Sequence, residues 1–572
     1  MVASRNIIRA PGGGYLVSFP YSADVVQAVR EIPGRKFVPA SKTWHIPDTA
    51  AAMTLLPIFA VTHKFMAEDG ILQEAARITT QASNLLTAST GTEAEIDIPG
   101  LRRALYPFQK AGVAYAVMVK RCLIADEPGL GKTIQALATI EHLNAYPALV
   151  ICPAGLKYNW ARECRHVAGR SVSIIQAGEF PCLDTDIVIV NYDLLHKLYR
   201  ILIDHKWAAI IADESQYIKA KSQRTKACLK LADRVPVRLA LTGTPITNRP
   251  VELISQLTFL GKFSEFGNWA SYTQKFCAAY KDRWGWRVDG ASNLAELHQR
   301  LQKICMVRRT KEQVLTELPP KTYTTLPVEI DNRREYRKAE ADVIQWIGQR
   351  AIEDAKFLAS IALFSKVEQQ RLIAQHRASA EERAAKAKTL VLIGVLRQVT
   401  AKGKTKAAVE WVTDMIDTGQ KLVVFGDHIA TVESIRKAFV GCAAVTGNSD
   451  RDERQANIDR FQSDPECLLI VCSFKAGGLG ITLTAASNVF FLEFPWTPAA
   501  MEHAANRVHR IGQRDAVNIW SMVGENTIDE TIVETLAKKQ TVSDAAIDGI
   551  EEIESTNVFA ALMRALKEQR GT

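Results

Sequence analysis

At 572 residues the chain is too long for one hydrophobic core and must divide into several domains. Its 47% hydrophobic and 23% charged residues are ordinary for a globular protein, and its apolar runs are far too short to span a bilayer. A net charge of +9 admits a polyanionic partner without requiring one.

The N-terminus, MVASRNIIRAPGGG, lacks the apolar core of a secretory signal, so the protein is expected to stay in the compartment where it is made. Residues 1–60 read as a small α+β module, with apolar alternation over Tyr15–Phe19, a turn at Pro33-Gly34, and Trp44 beside His45. Residues 61–100, rich in Ala, Thr, Ser and Glu, read as a partly helical linker. Residues 101–250 alternate strand-like runs with amphipathic helical stretches; the runs are Cys122–Ala125, Ala148–Cys152, Ile187–Val190, Ala209–Ala212 and Leu239–Leu241. That pattern predicts a parallel sheet covered on both faces.

Residues 251–400 read as helical protrusions and a linker between lobes. Within them, 331–395 contain no proline and only Gly348 and Gly394, which favours long helices. They serve either as a solvated spacer or as a protrusion shaping a substrate groove. A second alternation over 401–525, with strands at Leu422–Phe425, Leu468–Val471 and Asn488–Leu492, predicts a second α/β lobe. The ten cysteines form no C-x-x-C pair, which points to buried thiols in a reducing compartment rather than zinc or a disulfide framework.

The stretch Leu123-Ile-Ala-Asp-Glu-Pro-Gly-Leu-Gly-Lys-Thr133 is a strand, a glycine-containing loop and a helix start. Phosphate needs this arrangement, because glycines let backbone N–H groups approach its oxygens and the helix dipole favours negative charge. Asp126, Glu127, Gly129 and Gly131 would form the loop, Lys132 would reach the terminal phosphates, and Thr133 would hold magnesium. Asp126 stands where the strict phosphate-loop pattern begins with glycine. Downstream, the apolar run ending in Asp213-Glu214 delivers two carboxylates to the ligand-binding edge of the same sheet. Asp213 would coordinate magnesium and Glu214 would deprotonate the attacking water. In the second lobe, Arg507 and Arg510 are three residues apart on one helical face, suited to stabilising phosphate charge held by the first lobe.

Taken in order, these stretches resemble the Swi/Snf-type ATPases of helicase superfamily two, over essentially residues 101–550. The resemblance implies two RecA-like lobes. Leu105–Val113 is similar to the family's adenine-recognition segment, making Gln109 the adenine contact. Asp126–Thr133 resembles motif I, with Pro128 where methionine is usual, and Asp213–Gln216 resembles motif II, with Gln216 where histidine is usual. Leu241–Pro245 is similar to motif III, and Ser473–Thr484 to motif V, which places Gly480 at the nucleotide. Arg507–Gln513 resembles motif VI, with Arg507 and Arg510 as arginine fingers. Met306–Lys311 matches a stretch leading out of the first lobe, and 526–572 would be a brace helix and tail.

The N-terminal module resembles the HARP domain of the SMARCA-like annealing helicases. Before residue 46 its Arg5, Arg9, Arg30, Arg35, Lys36 and Lys42 oppose only Asp24 and Glu31, and interleave with Phe37 and Trp44. These residues suit phosphate contact and base stacking, although the aromatics could equally form the module's core.

The expected function is an ATP- and magnesium-dependent duplex-DNA translocase that remodels or re-anneals branched DNA. The alternatives are a strand-separating helicase, a motor displacing proteins or RNA polymerase, and a DNA-binding scaffold with a vestigial ATPase. Protein partners stay open, with single-strand-binding and replication proteins as candidates. The sequence shows no recognisable chromatin-reading module, and its compactness favours a bacterial or phage setting, hence a cytoplasmic, nucleoid-associated place; a eukaryotic source would place it in the nucleus.

Overall fold

Apolar runs in this chain set up four sheets, and their order explains where the functional residues meet. The computed structural model describes residues 5–537, apart from 33, 48–49, 68, 220–221, 247–248, 283–284, 289, 363, 366–367, 370, 373–379, 448 and 478–479. The expected Pro33 turn residue, part of motif V and the tail beyond 537 therefore lie outside the described residues.

In the N-terminal module, β1 (Asn6–Arg9), β2 (Tyr15–Ser18), β3 (Lys36–Val38), β4 (Thr43–Ile46) and β5 (Met66–Ala67) form one sheet in the order β3-β4-β2-β1-β5. Val17 and Ile46 face helices Ala23–Val29 and Ala50–Thr62, where Val25, Val29 and Leu56 complete a small core. Trp44 packs partly onto that core, and Phe37 extends from it at the sheet edge, 49% exposed, with its ring 5.2 Å from Trp44. The module runs past residue 60, because β5 pairs in parallel with β1 and Phe65 and Ile71 enter its core. The stretch expected as a linker is largely one helix, Asp69–Thr90, whose Leu85 and Ala88 pack on the next lobe.

That lobe is built on β6 (Arg121–Ile124), β7 (Ala148–Cys152), β8 (Val172–Ile174), β9 (Ile187–Asn191), β10 (Ala209–Asp213) and β11 (Val237–Leu241). A separate hairpin follows, β12 (Tyr280–Asp282) and β13 (Gly285–Arg287), and then β14 (Met306–Val307). The sheet order is β14-β6-β11-β10-β7-β9-β8, with all neighbours parallel. Every residue of β7, β9, β10 and β11 is buried. Side chains that alternate along a strand feed two separate cores: Leu149 and Val188 face one, Val150 and Ile189 the other. Burial on both faces is why these strands read as continuous apolar runs. Parallel strands also bring their C-terminal ends to one edge, where the loop after β6 meets the carboxylates ending β10. Eight of the ten thiols are buried in these cores and the next lobe.

The sheet does not stop near residue 250, since β14 lies against β6 and closes its edge. The second lobe likewise begins earlier than residue 401. Its strands are β15 (Lys321–Val328), β16 (Leu422–Gly426), β17 (Ala443–Val445), β18 (Leu469–Ser473), β19 (Asn488–Phe491) and β20 (Val517–Gly524), in the parallel order β15-β20-β19-β16-β18-β17. Polar, half-exposed β15 is held by eight register pairs with β20.

Between β15 and β16, helices Arg333–Ser360 and Ala380–Asp417 pack on each other, with Trp346 Nε1 donating to Thr389 Oγ1 at 3.1 Å. Tyr336, Val343, Ile393 and Leu396 root the pair on Phe494, Val523 and Ile528 of the second lobe. Lys404 is fully buried and donates to Leu492 O (2.6 Å), Met522 O (2.8 Å) and Asp529 Oδ2 (2.6 Å). This fastens the long helix to the sheet and to the helical turn after β20. No helix among the described residues is long and apolar enough to cross a membrane.

Asp529→Ala should strand the Lys404 ammonium in the core and lower stability by about 3–5 kcal/mol, read as the chemical-denaturation midpoint of the second lobe. Adding Lys404→Met removes the stranded charge and should recover much of that loss.

Candidate nucleotide site between the lobes

The loop after β6 turns at Gly129 (φ 98°) and Gly131 (φ 79°), a left-handed region that only glycine enters freely. Helix Lys132–His142 then starts with no side chain capping its N-terminal amides, which leaves them available to an anion. Lys132 Nζ donates to the carbonyls of Asp126 (2.7 Å) and Glu127 (3.3 Å), so the loop curls around the ammonium. Burial lowers its pKa, against the pull of Glu214, Asp126 and Asp213. Thr133 sits half-buried beside it.

Gln109 lies on helix Pro107–Val119, directly against the loop. Its Oε1 accepts from the Tyr106 N–H (3.1 Å) and its Nε2 donates to Leu130 O (3.1 Å). A Cβ on Gly131 would lie 2.5 Å from that Nε2, so a side chain there would displace the Gln109 amide.

Asp126, expected to line the nucleotide, instead has its fully buried carboxylate engaged elsewhere. It accepts from Arg309 Nη2 (2.6 Å), Arg309 Nε (3.0 Å) and Gln135 Nε2 (2.8 Å). Arg309 also donates to Phe108 O and to Gln135 Oε1. The neighbouring Arg308 donates to Ala125 O (2.8 Å) and Gly243 O (3.0 Å). The first loop position thus carries an ion pair that anchors the loop, and only its backbone carbonyl faces Lys132. Glu127 accepts from the Lys311 N–H at 2.7 Å.

At the end of β10, Asp213 accepts from Trp160 Nε1 (2.7 Å) and from the Glu214 N–H (2.9 Å). Burial, and then the neighbouring Glu214, push the Asp213 carboxyl above its ordinary range. Glu214 takes a left-handed backbone (φ 50°), a strained placement of the kind that clusters at functional sites. Burial works against its charge, yet His503, Gln216 and Lys132 hold it below the usual carboxylate range. Gln216 Nε2 donates to Glu214 Oε2 at 2.7 Å, and its buried Oε1 has no partner among the described residues. His503 reaches across from the second lobe to within 3.5 Å of Thr244 Oγ1.

Arg507 and Arg510 enter from the same side as His503. Both guanidinium groups donate to Ile481 O (3.4 and 3.3 Å), and Arg510 also bonds Thr482 Oγ1 (2.8 Å). Burial lowers the Arg507 pKa to about 10, and Arg510 adds to the effect, while Glu214 and Asp213 oppose it. Arg510 stands at the loop itself, since a Cβ on Gly129 would lie 3.1 Å from Arg510 Cβ. Gly480, expected at the nucleotide, lies against the first lobe: a Cβ there would come within 2.3 Å of Leu156 Cδ2.

The structure therefore gathers Gln109, Gly129, Gly131, Lys132, Asp213, Glu214, Arg507 and Arg510 around one cleft. It engages the Asp126 carboxylate in the ion pair with Arg309. Trp160, His503 and Lys311 join the cleft without having been expected there. For Trp160 and His503 the only sequence signal is residue type, because each acts across a tertiary contact, whereas Lys311 ends the Met306–Lys311 stretch that matches the family.

A model of the SNF2-related domain matches residues 108–404, and one of the helicase conserved C-terminal domain matches 404–512. The chain belongs to the SNF2-related family. Among its relatives, the DNA annealing helicase and endonuclease ZRANB3 of Mus musculus is 30% identical over 491 residues, covering 82% of this chain and 43% of the relative. The Homo sapiens protein of that name is 31% identical, covering 79% and 41%. The SWI/SNF-related matrix-associated actin-dependent regulator of chromatin subfamily A-like protein 1 of Xenopus tropicalis is 31% identical, covering 80% and 46%. This chain thus spans less than half the length of these relatives. It also shows a likeness to the solved Sulfolobus solfataricus SWI2/SNF2 ATPase core in complex with dsDNA: 24% identity, 82% of this chain, 96% of that chain and a TM-score of 0.38.

Asp126→Ala leaves the Arg309 charge buried and unpaired, and should lower stability by about 3–5 kcal/mol in thermal or chemical unfolding. Adding Arg309→Met should recover much of that loss, because the two residues form one coupled unit.

Proposed function

We propose that this SNF2-related chain is a DNA-dependent ATPase that moves along duplex DNA and remodels or re-anneals branched DNA. One observation carries the catalytic half of this reading: Arg507 and Arg510, held by the second lobe, stand against the loop and carboxylates of the first. A nucleotide triphosphate offers the concentrated negative charge that such converging cations require.

The loop residues fit phosphate, as its glycines admit close backbone approach and its helix amides are uncapped. Thr133 and Asp213 fit magnesium, being hard oxygen donors on facing elements, and the ion would neutralise phosphate charge there. Gln109 positions the base, and Lys132 draws the terminal phosphates toward the loop. Glu214 Oε1 or Oε2 takes a proton from the attacking water, oriented by the Gln216 amide at 2.7 Å. Arg507 and Arg510 stabilise charge that develops during transfer.

The DNA half of the reading draws support from the cleft's far side. Lys219, Arg224 and Lys475 line a cavity of about 510 Å³ between the lobes, together with Tyr217 and Trp496. Gln216 and His503 also line it, and Gln216 bonds Glu214 directly. Cations beside aromatic rings suit phosphate contacts with base stacking and little sequence preference. In the N-terminal module, exposed Arg35, Lys36 and Phe37 offer the same chemistry at a sheet edge, and named relatives are annealing helicases.

ATP turnover measured with forked, duplex and single-stranded DNA tests the proposal. Forked and duplex DNA should raise turnover at least tenfold, with stimulation falling steeply as salt rises, and Lys132→Ala should abolish it. Turnover indifferent to every DNA would refute the motor. Strand separation without annealing, in paired assays on one fork, would instead identify a conventional helicase.

A further inference from the structure

Lys311 leaves the first lobe just beyond β14, yet its side chain ends inside the second. Its Nζ donates to Asn506 Oδ1 and to His509 O (2.5 Å), and lies 3.3 Å from His509 Nδ1. Each acceptor is fixed by a further bond. His509 Nε2 stands 2.8 Å from the Pro319 carbonyl, which can only accept, so Nε2 carries the proton and Nδ1 presents its lone pair to Lys311. Asn506 Nδ2 donates to Glu502 Oε2 at 3.0 Å, which turns Oδ1 toward the lysine. An ammonium has three donors, and three acceptors of the second lobe meet them.

The same residue holds the phosphate loop. Its backbone N–H donates to Glu127 Oε2, its Nζ is 3.7 Å from Glu127 Oε1, and a Cβ on Gly129 would lie 3.3 Å from its Cε. Only 3% of the side chain is exposed, so burial drives the ammonium pKa down to about 7, against the pull of Glu127 and Glu502. Retaining a buried charge at that penalty fits a registry role better than a stabilising one. The acceptors flank Arg507 and precede Arg510 directly, so whatever fixes them fixes the arginine pair.

We infer that Lys311 is an interlobe clasp, a positioning residue that locks Asn506 and His509 to the phosphate loop and so delivers Arg507 and Arg510 to the nucleotide. The inference rests on the ATPase reading above. In the closed cleft the lysine is satisfied from both lobes; on opening it loses the three lobe-two acceptors and keeps Glu127. Its contribution therefore belongs to closure rather than to nucleotide binding, which the first lobe performs alone.

Lys311→Met keeps the length and apolar stem and suits a buried position. In the full chain it should bind ATP with a dissociation constant within about threefold of the wild type, while DNA-stimulated kcat falls at least tenfold. Asn506→Leu removes one acceptor from the opposite lobe and should reproduce that split; if Lys311→Met does not fold, this variant decides alone. A kcat within twofold of the wild type would overturn the clasp, as would an ATP affinity that falls in step with kcat. A wild-type chain whose turnover ignores DNA would instead defeat the functional reading on which the clasp rests.

Discussion

Arg309 carries a full guanidinium into a site that is 1% exposed, and there it meets the Asp126 carboxylate, Gln135 and the Phe108 carbonyl. These partners lie on the phosphate loop, on the helix that follows it and on the helix that bears Gln109. Arg309 itself belongs to the segment that leaves the first lobe and continues into β15 of the second. One buried ion pair therefore ties the nucleotide loop to the chain's only described crossing into β15. Remove either charge, and the other has no solvent to return to.

The cleft grows outward from that anchor. Two parallel sheets each present the C-terminal ends of their strands, and the second lobe faces the first with Arg507, Arg510 and His503. Burial, and then Arg510, disfavours the charge of Arg507; burial, and then Arg507 and Lys132, disfavours that of His503, which Glu214 favours. Such mutual repulsion in a low-dielectric cleft is unfavourable until an anion joins it. Asp213 and Glu214 oppose it only in part. On the proposed reading, a polyphosphate in the cleft would relieve that repulsion and favour closure.

Much of this was legible because it is local. Fully buried parallel strands such as β7, β9 and β10 announce themselves as unbroken Val, Ile and Ala runs, and the glycine loop, the paired carboxylates and the arginine pair keep fixed spacings. The misses share a different cause. β15 is a polar edge strand, Lys-Thr-Tyr-Thr-Thr-Leu-Pro-Val, whose pairing with β20 lies some two hundred residues away in sequence. Asp126 read as a ligand residue because its partner, Arg309, is 183 positions distant. Trp160 shows no sign in sequence that its indole N–H will meet Asp213. Periodicity reports burial, and motif spacing reports chemistry; neither reports which distant surface completes a site.

The central claim is that hydrolysis is completed across the cleft, with nucleotide bound by the first lobe and its transition state stabilised from the second. Single-turnover ATP hydrolysis by the Arg507→Ala chain, measured beside equilibrium ATP binding, tests it most directly. The account predicts a rate at least a hundredfold below the wild type with a dissociation constant changed less than about threefold. Hydrolysis at the wild-type rate, or a loss of rate explained wholly by weaker binding, would contradict it.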